Sequence, residues 1–148
     1  MDFRKAMLSP VAIGIGCRKG ATAQAIAGLV QEMLGDAPPF SGATLFSIAR
    51  KSEEAGLRDA AKALGLDLVF LDDAEFLARQ GEFSARGAAA STKSLETTGF
   101  ASVAEAAALM GGGPTARLIL RRRAAHGVTC ALAAPADALA APANEDRT

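Results

Sequence analysis

Two rhythms of apolar and polar positions take turns along the chain. Val11 to Ile15 is an unbroken apolar run closed by glycine, the pattern of a short strand covered on both faces. Thr22 then stands where a helix cap belongs, and Ile26, Val30, Met33 and Leu34 recur at helical spacing behind it. After the Pro38-Pro39 loop the same alternation repeats. "ATLFSI", Ala43 to Ile48, predicts a second strand. Ser52 with the acidic pair Glu53-Glu54 opens a helix whose Leu57, Ala60, Ala61 and Leu64 share a face, and Gly65 is placed to stop it. "DLVFL", Asp67 to Leu71, predicts a third strand, followed by a short helix announced by Asp72 with Glu75 three residues on.

Periodicity is lost from Gly81 to Phe100, where Gly, Ser, Thr and Ala dominate. A connection of this length inside a compact domain is either a binding loop or lid, or disordered. Helical spacing returns at Ser102 and runs to Gly111, Gly112 and Gly113. "RLIL", Arg117 to Leu120, and "VTCALAA", Val128 to Ala134, predict two strands whose short connection through His126-Gly127 makes them an antiparallel hairpin.

Alternating strands and helices with continuous apolar strands imply a three-layer α/β/α fold around a mostly parallel five-stranded sheet. Right-handed crossovers put the first three strands in the order 3-2-1. Adding the fourth strand on the other side of strand 1 predicts 3-2-1-4-5 with strand 5 antiparallel, and a ligand crevice at the carboxyl ends of the strands flanking the reversal. Residues 1–134 form one domain on this reading, and 135–148, "APADALAAPANEDRT" with its first residue removed, form a disordered tail.

Composition narrows the function classes. The chain has 148 residues, half of them apolar, and its 16 basic and 16 acidic side chains cancel, which argues against a nucleic-acid partner. No stretch approaches the roughly 20 apolar residues that would span a bilayer, so no membrane role is expected. The N-terminal stretch up to Cys17 faintly imitates a lipoprotein leader, but Ser9 and Pro10 break its apolar part. Two distant cysteines, Cys17 and Cys130, read as reduced thiols of a cytoplasmic protein. With one histidine they make no metal site, and no cofactor is implied.

The candidate chemistry gathers after strand 1, in "GIGCRKGAT". Gly14, Gly16 and Gly20 free the backbone to turn closely, the helix beyond Thr22 presents unpaired N–H groups, and Arg18 and Lys19 add charge. An anion fits there, a carboxylate or a phosphate. The alternative is a tight strand-to-helix turn with solvated cations. The spacing matches neither a dinucleotide fingerprint nor a Walker A loop. Cys17 is a candidate nucleophile if Arg18 and the helix dipole depress its thiol pKa, although a free cysteine is more commonly a small packed residue, and His126 is expected too far away to pair with it. Lys51, after strand 2, can reach the same crevice. Glu105 either enters the chemistry or closes a capping box with Ser102. Arg121, Arg122 and Arg123 read as a solvated edge that discourages strand pairing.

Taken together, "VAIGIGCRKGAT", "SIARKSEEAGLRDAAKALGLDLVFL", "TKSLETTGFASVAEAAALMGGGPTARLILRRR" and "GVTCALA" resemble, in order, the C-terminal domain of the cobalamin-biosynthesis protein CbiG and its stand-alone relative CobE. The resemblance runs from Val11 to Ala133 and implies a role in vitamin B12 biosynthesis. Its partners would be a precorrin or corrin-type intermediate, whose acetate and propionate groups need anion sites, and other enzymes of the pathway. Gly14, Gly16, Cys17, Arg18, Lys19, Gly20, Thr22 and Lys51 are the ligand-binding candidates, with Cys17, Lys51 and Glu105 as candidates for chemistry. Full-length CbiG-type proteins open a precorrin lactone and release acetaldehyde, so a hydrolase is the second reading. An accessory module that only contacts another biosynthetic enzyme is the third.

Overall fold

The computed structural model describes residues 10–85 and 103–135. Five strands form one sheet: β1 (Val11–Cys17), β2 (Ala43–Ile48), β3 (Asp67–Leu71), β4 (Ala116–Ala125) and β5 (Val128–Pro135). The helices among the described residues are α1 (Ala23–Asp36), α2 (Ala55–Leu64), α3 (Asp73–Ala78), α4 (Gln80–Ala85) and α5 (Val103–Gly111), with a 3-10 turn at Ala49–Lys51.

Local signals act as their chemistry dictates. The Thr22 hydroxyl accepts the Ala25 N–H at 3.1 Å and caps α1, and the Asp72 carboxylate accepts the Glu75 N–H at 2.9 Å and caps α3. Gly65 ends α2 in the left-handed conformation at φ +70°, as its position predicts. The Gly81–Phe100 stretch departs from expectation at its start. Residues 81–85 belong to α4, whose Phe83 is fully buried with its ring 5.7 Å from that of Phe76. The remainder of that stretch, the Ser102 end of the proposed capping box and the tail beyond Pro135 lie outside the described residues.

The fold class is the one expected, and the strand order is not. β1 pairs in parallel with β2, and β2 with β3, but the neighbour of β1 on its other side is β5, giving β3-β2-β1-β5-β4. The last strand is antiparallel to β1, and β4 lies at the sheet edge. Burial explains the exchange. Val128 and Cys130 to Ala134 are buried on both faces of β5, which suits an interior strand, whereas β4 carries exposed Arg117, Arg121 and Arg122.

Two apolar layers sandwich this sheet. On one face Ile13, Ile15, Leu45, Cys130 and Leu132 pack under Ile26, Val30 and Met33 of α1 and Leu57 and Ala60 of α2. On the other, Ile48, Ala131 and Ala133 meet Phe76, Phe83 and the alanines of α5. That second layer is built from small residues. A Cβ at Gly14 would fall on the carbonyl oxygen of Ala104, so glycine there is what lets α5 lie against β1.

Candidate functional site

The carboxyl end of β1 is held differently on its two sides. Pairing with β5 runs to the end, Cys17 opposite Val128, and the Arg18 N–H donates to the Gly127 carbonyl at 2.9 Å. Pairing with β2 stops at Gly14–Phe46. Beyond it, the buried Ser47 hydroxyl of β2 donates to the Ile15 carbonyl at 2.9 Å, while on the β5 side the Thr129 hydroxyl adds a bond to the Gly16 carbonyl at 3.2 Å. The expected crevice between strands 1 and 4 is therefore absent, because β5 fills that place. The two turns that follow β1 and β2 lie together instead.

Their contact is specific. Both oxygens of the Glu54 carboxylate accept the Gly20 N–H, at 2.9 and 3.1 Å, across 34 positions of sequence. A Cβ at Gly56, in the first turn of α2, would fall on the Ala21 carbonyl oxygen, so the start of α2 presses against the turn that carries Arg18 and Lys19. The β2–α2 segment is braced at several points. Ser52 N–H closes the 3-10 turn onto the Ala49 carbonyl at 2.9 Å, and the Arg58 guanidinium donates twice to the Ser52 carbonyl, at 3.0 and 2.8 Å, while lying over the Phe70 ring. Arg50 is tied to Asp73 of α3 at 2.9 Å. Lys51 is thus presented, half-buried, by a fixed turn.

Cys17 is half-buried at this junction. Its thiol pKa is raised, first by burial; Lys51 pulls it back down and Glu54 adds to the rise. The expected depression by Arg18 and the helix dipole is replaced by the opposite direction, and Lys51 is the cation that acts on the sulfur. Burial pushes the Cys130 thiol up to about 12.

The sequence candidates now separate by what they touch. Gly14 and Gly16 face α5: added Cβ atoms would meet the α5 backbone at Gly14, and the Thr129 hydroxyl at 2.9 Å and Val103 at Gly16. The Gly20 N–H already holds a carboxylate, and the Thr22 hydroxyl caps α1. Arg18 and Lys19 are exposed, with the Arg18 side chain lying across the hairpin turn, where a Cβ on Gly127 would sit 3.0 Å from its Cδ. His126 belongs to this end of the sheet, not to a distant one. It and Gly127 both have positive φ, +52° and +79°, in the two-residue turn that joins β4 to β5 beside Arg18. The β5 position next to β1 brings it there, which the expected strand order concealed.

Glu105 is elsewhere. It is fully buried on α5, on the sheet face opposite Cys17, and its carboxylate accepts the Arg122 N–H of β4 at 3.0 Å. The guanidinium groups of Arg121 and Arg122 approach it at 3.9 and 3.8 Å. In a regular strand neighbouring residues point to opposite faces. Here β4 shifts register between Leu118 and Leu120 and again between Leu120 and Arg123, and the second bulge turns both arginines toward one carboxylate. Arg123 instead reaches Asp36 of α1 at 2.6 Å. Among the described residues, no group of three His, Cys, Asp or Glu side chains is placed to hold a metal ion, and no helix is long and apolar enough to cross a membrane.

Comparison with known proteins gives this geometry a context. The family model described as cobalamin synthesis G C-terminus matches residues 11–133. Protein CobE of Sinorhizobium sp is 32% identical over 126 residues, covering 84% of this chain and 79% of that protein. The crystal structure of CobE, described as a protein from the cobalamin (vitamin B12) biosynthetic pathway, matches with a TM-score of 0.71 and 35% identity over 84% of this chain and 89% of that one. The cobalamin biosynthesis protein chiG of Agrobacterium tumefaciens matches with a TM-score of 0.65 and 33% identity, over 86% of this chain and 99% of that one. The family match covers β1 to β4, most of β5, both turns and Glu105, and the chain belongs to the cobalamin synthesis G C-terminus family.

Proposed function

We propose that this chain binds a carboxylate-bearing corrin-ring intermediate of cobalamin biosynthesis and hands it on, with the two turns after β1 and β2 as part of its site. The observation that carries the reading is that the turn bearing Arg18 and Lys19 and the turn leading from Lys51 into the next helix are locked together by the Glu54–Gly20 contact. Arginine supplies a planar fork for a carboxylate and lysine a mobile point charge. A ring rimmed with acetate and propionate groups needs such cations near its edge, and relatives of this chain carry names from the cobalamin pathway.

Binding, not bond cleavage, is the reading these side chains favour. Cys17 has a raised pKa and therefore little thiolate at neutral pH. Glu105 is committed to β4 on the other face.

The test is co-elution of the protein with cobyrinic acid, a coloured corrin ring acid with free acetate and propionate groups, on a sizing column, beside Arg18→Ala. Co-migration of pigment with the wild type, weakened several-fold by the substitution with the melting temperature unchanged, is expected. Absence of co-migration rejects the binding role. Release of acetaldehyde from a lactone-bearing precorrin by this chain alone would replace it with the hydrolase reading.

A further inference from the structure

Glu54 is a charged group of these turns to which the binding role assigns no task, although its carboxylate makes a specific contact across them. It stands at the position that caps α2, yet makes no side-chain bond to its own helix. Its backbone is fixed, with its N–H donating to the Lys51 carbonyl at 3.0 Å and its carbonyl accepting from Leu57 at 3.1 Å. From that fixed point the side chain reaches across to the Gly20 N–H, which lies outside α1 in the turn bearing Arg18 and Lys19. It is also close enough to Cys17, beside Lys51, to raise the thiol pKa. A carboxylate is thus already seated on a backbone donor of the turn that bears Arg18 and Lys19, and it acts on the same thiol as Lys51.

We infer that Glu54 is an internal competitor for the ligand: it occupies the Gly20 N–H in the free protein and is exchanged for a carboxylate of the incoming ring. The inference rests on the binding role proposed above. Exchange trades one charge-assisted hydrogen bond for another of the same kind, so the ligand gains little at this point of contact. The displaced Glu54 also remains tethered nearby at high effective concentration, ready to return as the ligand leaves. Both consequences speed release, which is what a handover protein needs and what an enzyme holding a substrate for chemistry does not.

The experiment is a visible-absorption titration with cobyrinic acid and stopped-flow dissociation, comparing the wild type with Glu54→Gln. The glutamine oxygen can still accept the Gly20 N–H and hold the turn, while the negative charge is gone. Affinity about ten-fold tighter than wild type, equivalent to about 1.4 kcal/mol, is expected, most of it in slower dissociation. Equal or weaker binding by Glu54→Gln, with the wild type still binding, overturns the competitor and leaves the binding role standing. Binding by neither protein overturns the binding role and the inference with it. Should Glu54→Gln not fold, the Gly20 amide resonance of the wild type carries the test: it must shift as the pigment bands saturate, and an unmoved Gly20 overturns the inference.

Discussion

Replacing Gly14 with alanine tests whether this glycine serves packing or ligand. The new Cβ would coincide with the Ala104 carbonyl oxygen, and would lie 2.6 Å from the Ala108 nitrogen and 2.9 Å from the Ala104 carbonyl carbon. All three atoms are helix backbone, so no rotamer change relieves them. α5 must withdraw from the sheet by roughly an ångström or more to restore ordinary contact near 3.5–4 Å. That movement loosens a layer in which Ala104, Ala106, Ala107, Ala108 and Leu109 are all buried. Overpacking a core costs about 1–3 kcal/mol when side chains can adjust. With rigid backbone on both sides the upper figure is the appropriate floor, about 3 kcal/mol, or a fall in melting temperature of roughly 6–12 °C for a chain of this size. Gly28, in the middle of α1 with open space around it, is the matched control. Gly28→Ala should stabilise by about 0.5–1 kcal/mol, because alanine has the better helix propensity. Urea and thermal unfolding of both variants measure the contrast. Gly14→Ala melting with the wild type would refute the packing argument.

Further expectations follow from the buried groups. Glu105→Ala orphans the Arg122 N–H in the β4 bulge and should cost about 2–4 kcal/mol in urea unfolding, with Glu105→Gln, which keeps an acceptor, costing less; equal stability of all three proteins would contradict the contact. Cys17 should alkylate with iodoacetamide more slowly than an exposed thiol at pH 7.5. Lys51→Ala should slow it further and Glu54→Gln speed it, since Lys51 lowers and Glu54 raises its pKa; the reverse order would show that other charges govern the sulfur. Between the ordinary thiol pKa of 9.0 and the folded value of about 12, Cys130 keeps its proton in the native state and loses it on unfolding. The unfolded chain then binds fewer protons, so Cys130 should make stability fall above pH 9 by about 1.4 kcal/mol per pH unit. A stability–pH slope unchanged by Cys130→Ala in that range would contradict this.

The alternating elements were legible because each carries its own local signal. Thr22, Asp72 and Gly65 cap where their chemistry predicts, and the apolar runs of β1, β2 and β3 lie where the periodicity puts them. The β4–β5 hairpin was legible as a hairpin, but its turn says nothing about which strand meets β1. That information lay in a comparison of compositions: "VTCALAA" is apolar at nearly every position and belongs inside a sheet, while "RLILRRR" belongs at an edge. Helix α4 was missed because Gly81 and Gln80 dilute its pattern and its anchor, Phe83 against Phe76, is a contact seven residues away. The cations of the site were legible as residue types in a glycine turn. The partner of that turn was not, since Glu54 reads locally as an acidic helix start and meets Gly20 only when β1 and β2 lie side by side. Glu105 reads likewise as a cap, and its contact with Arg122 depends on a bulge that no local pattern announces.

The central claim is that the turns after β1 and β2 form part of the site for a carboxylate-bearing ring. Its most direct test is amide chemical-shift mapping of the isotope-labelled protein during titration with cobyrinic acid. The account predicts saturable shifts concentrated at Arg18, Lys19, Gly20, Lys51 and the adjoining Gly127. Shifts confined to the opposite end of the sheet, around Ala43 and Gly112, or to the exposed edge of β3 at Val69, would contradict it.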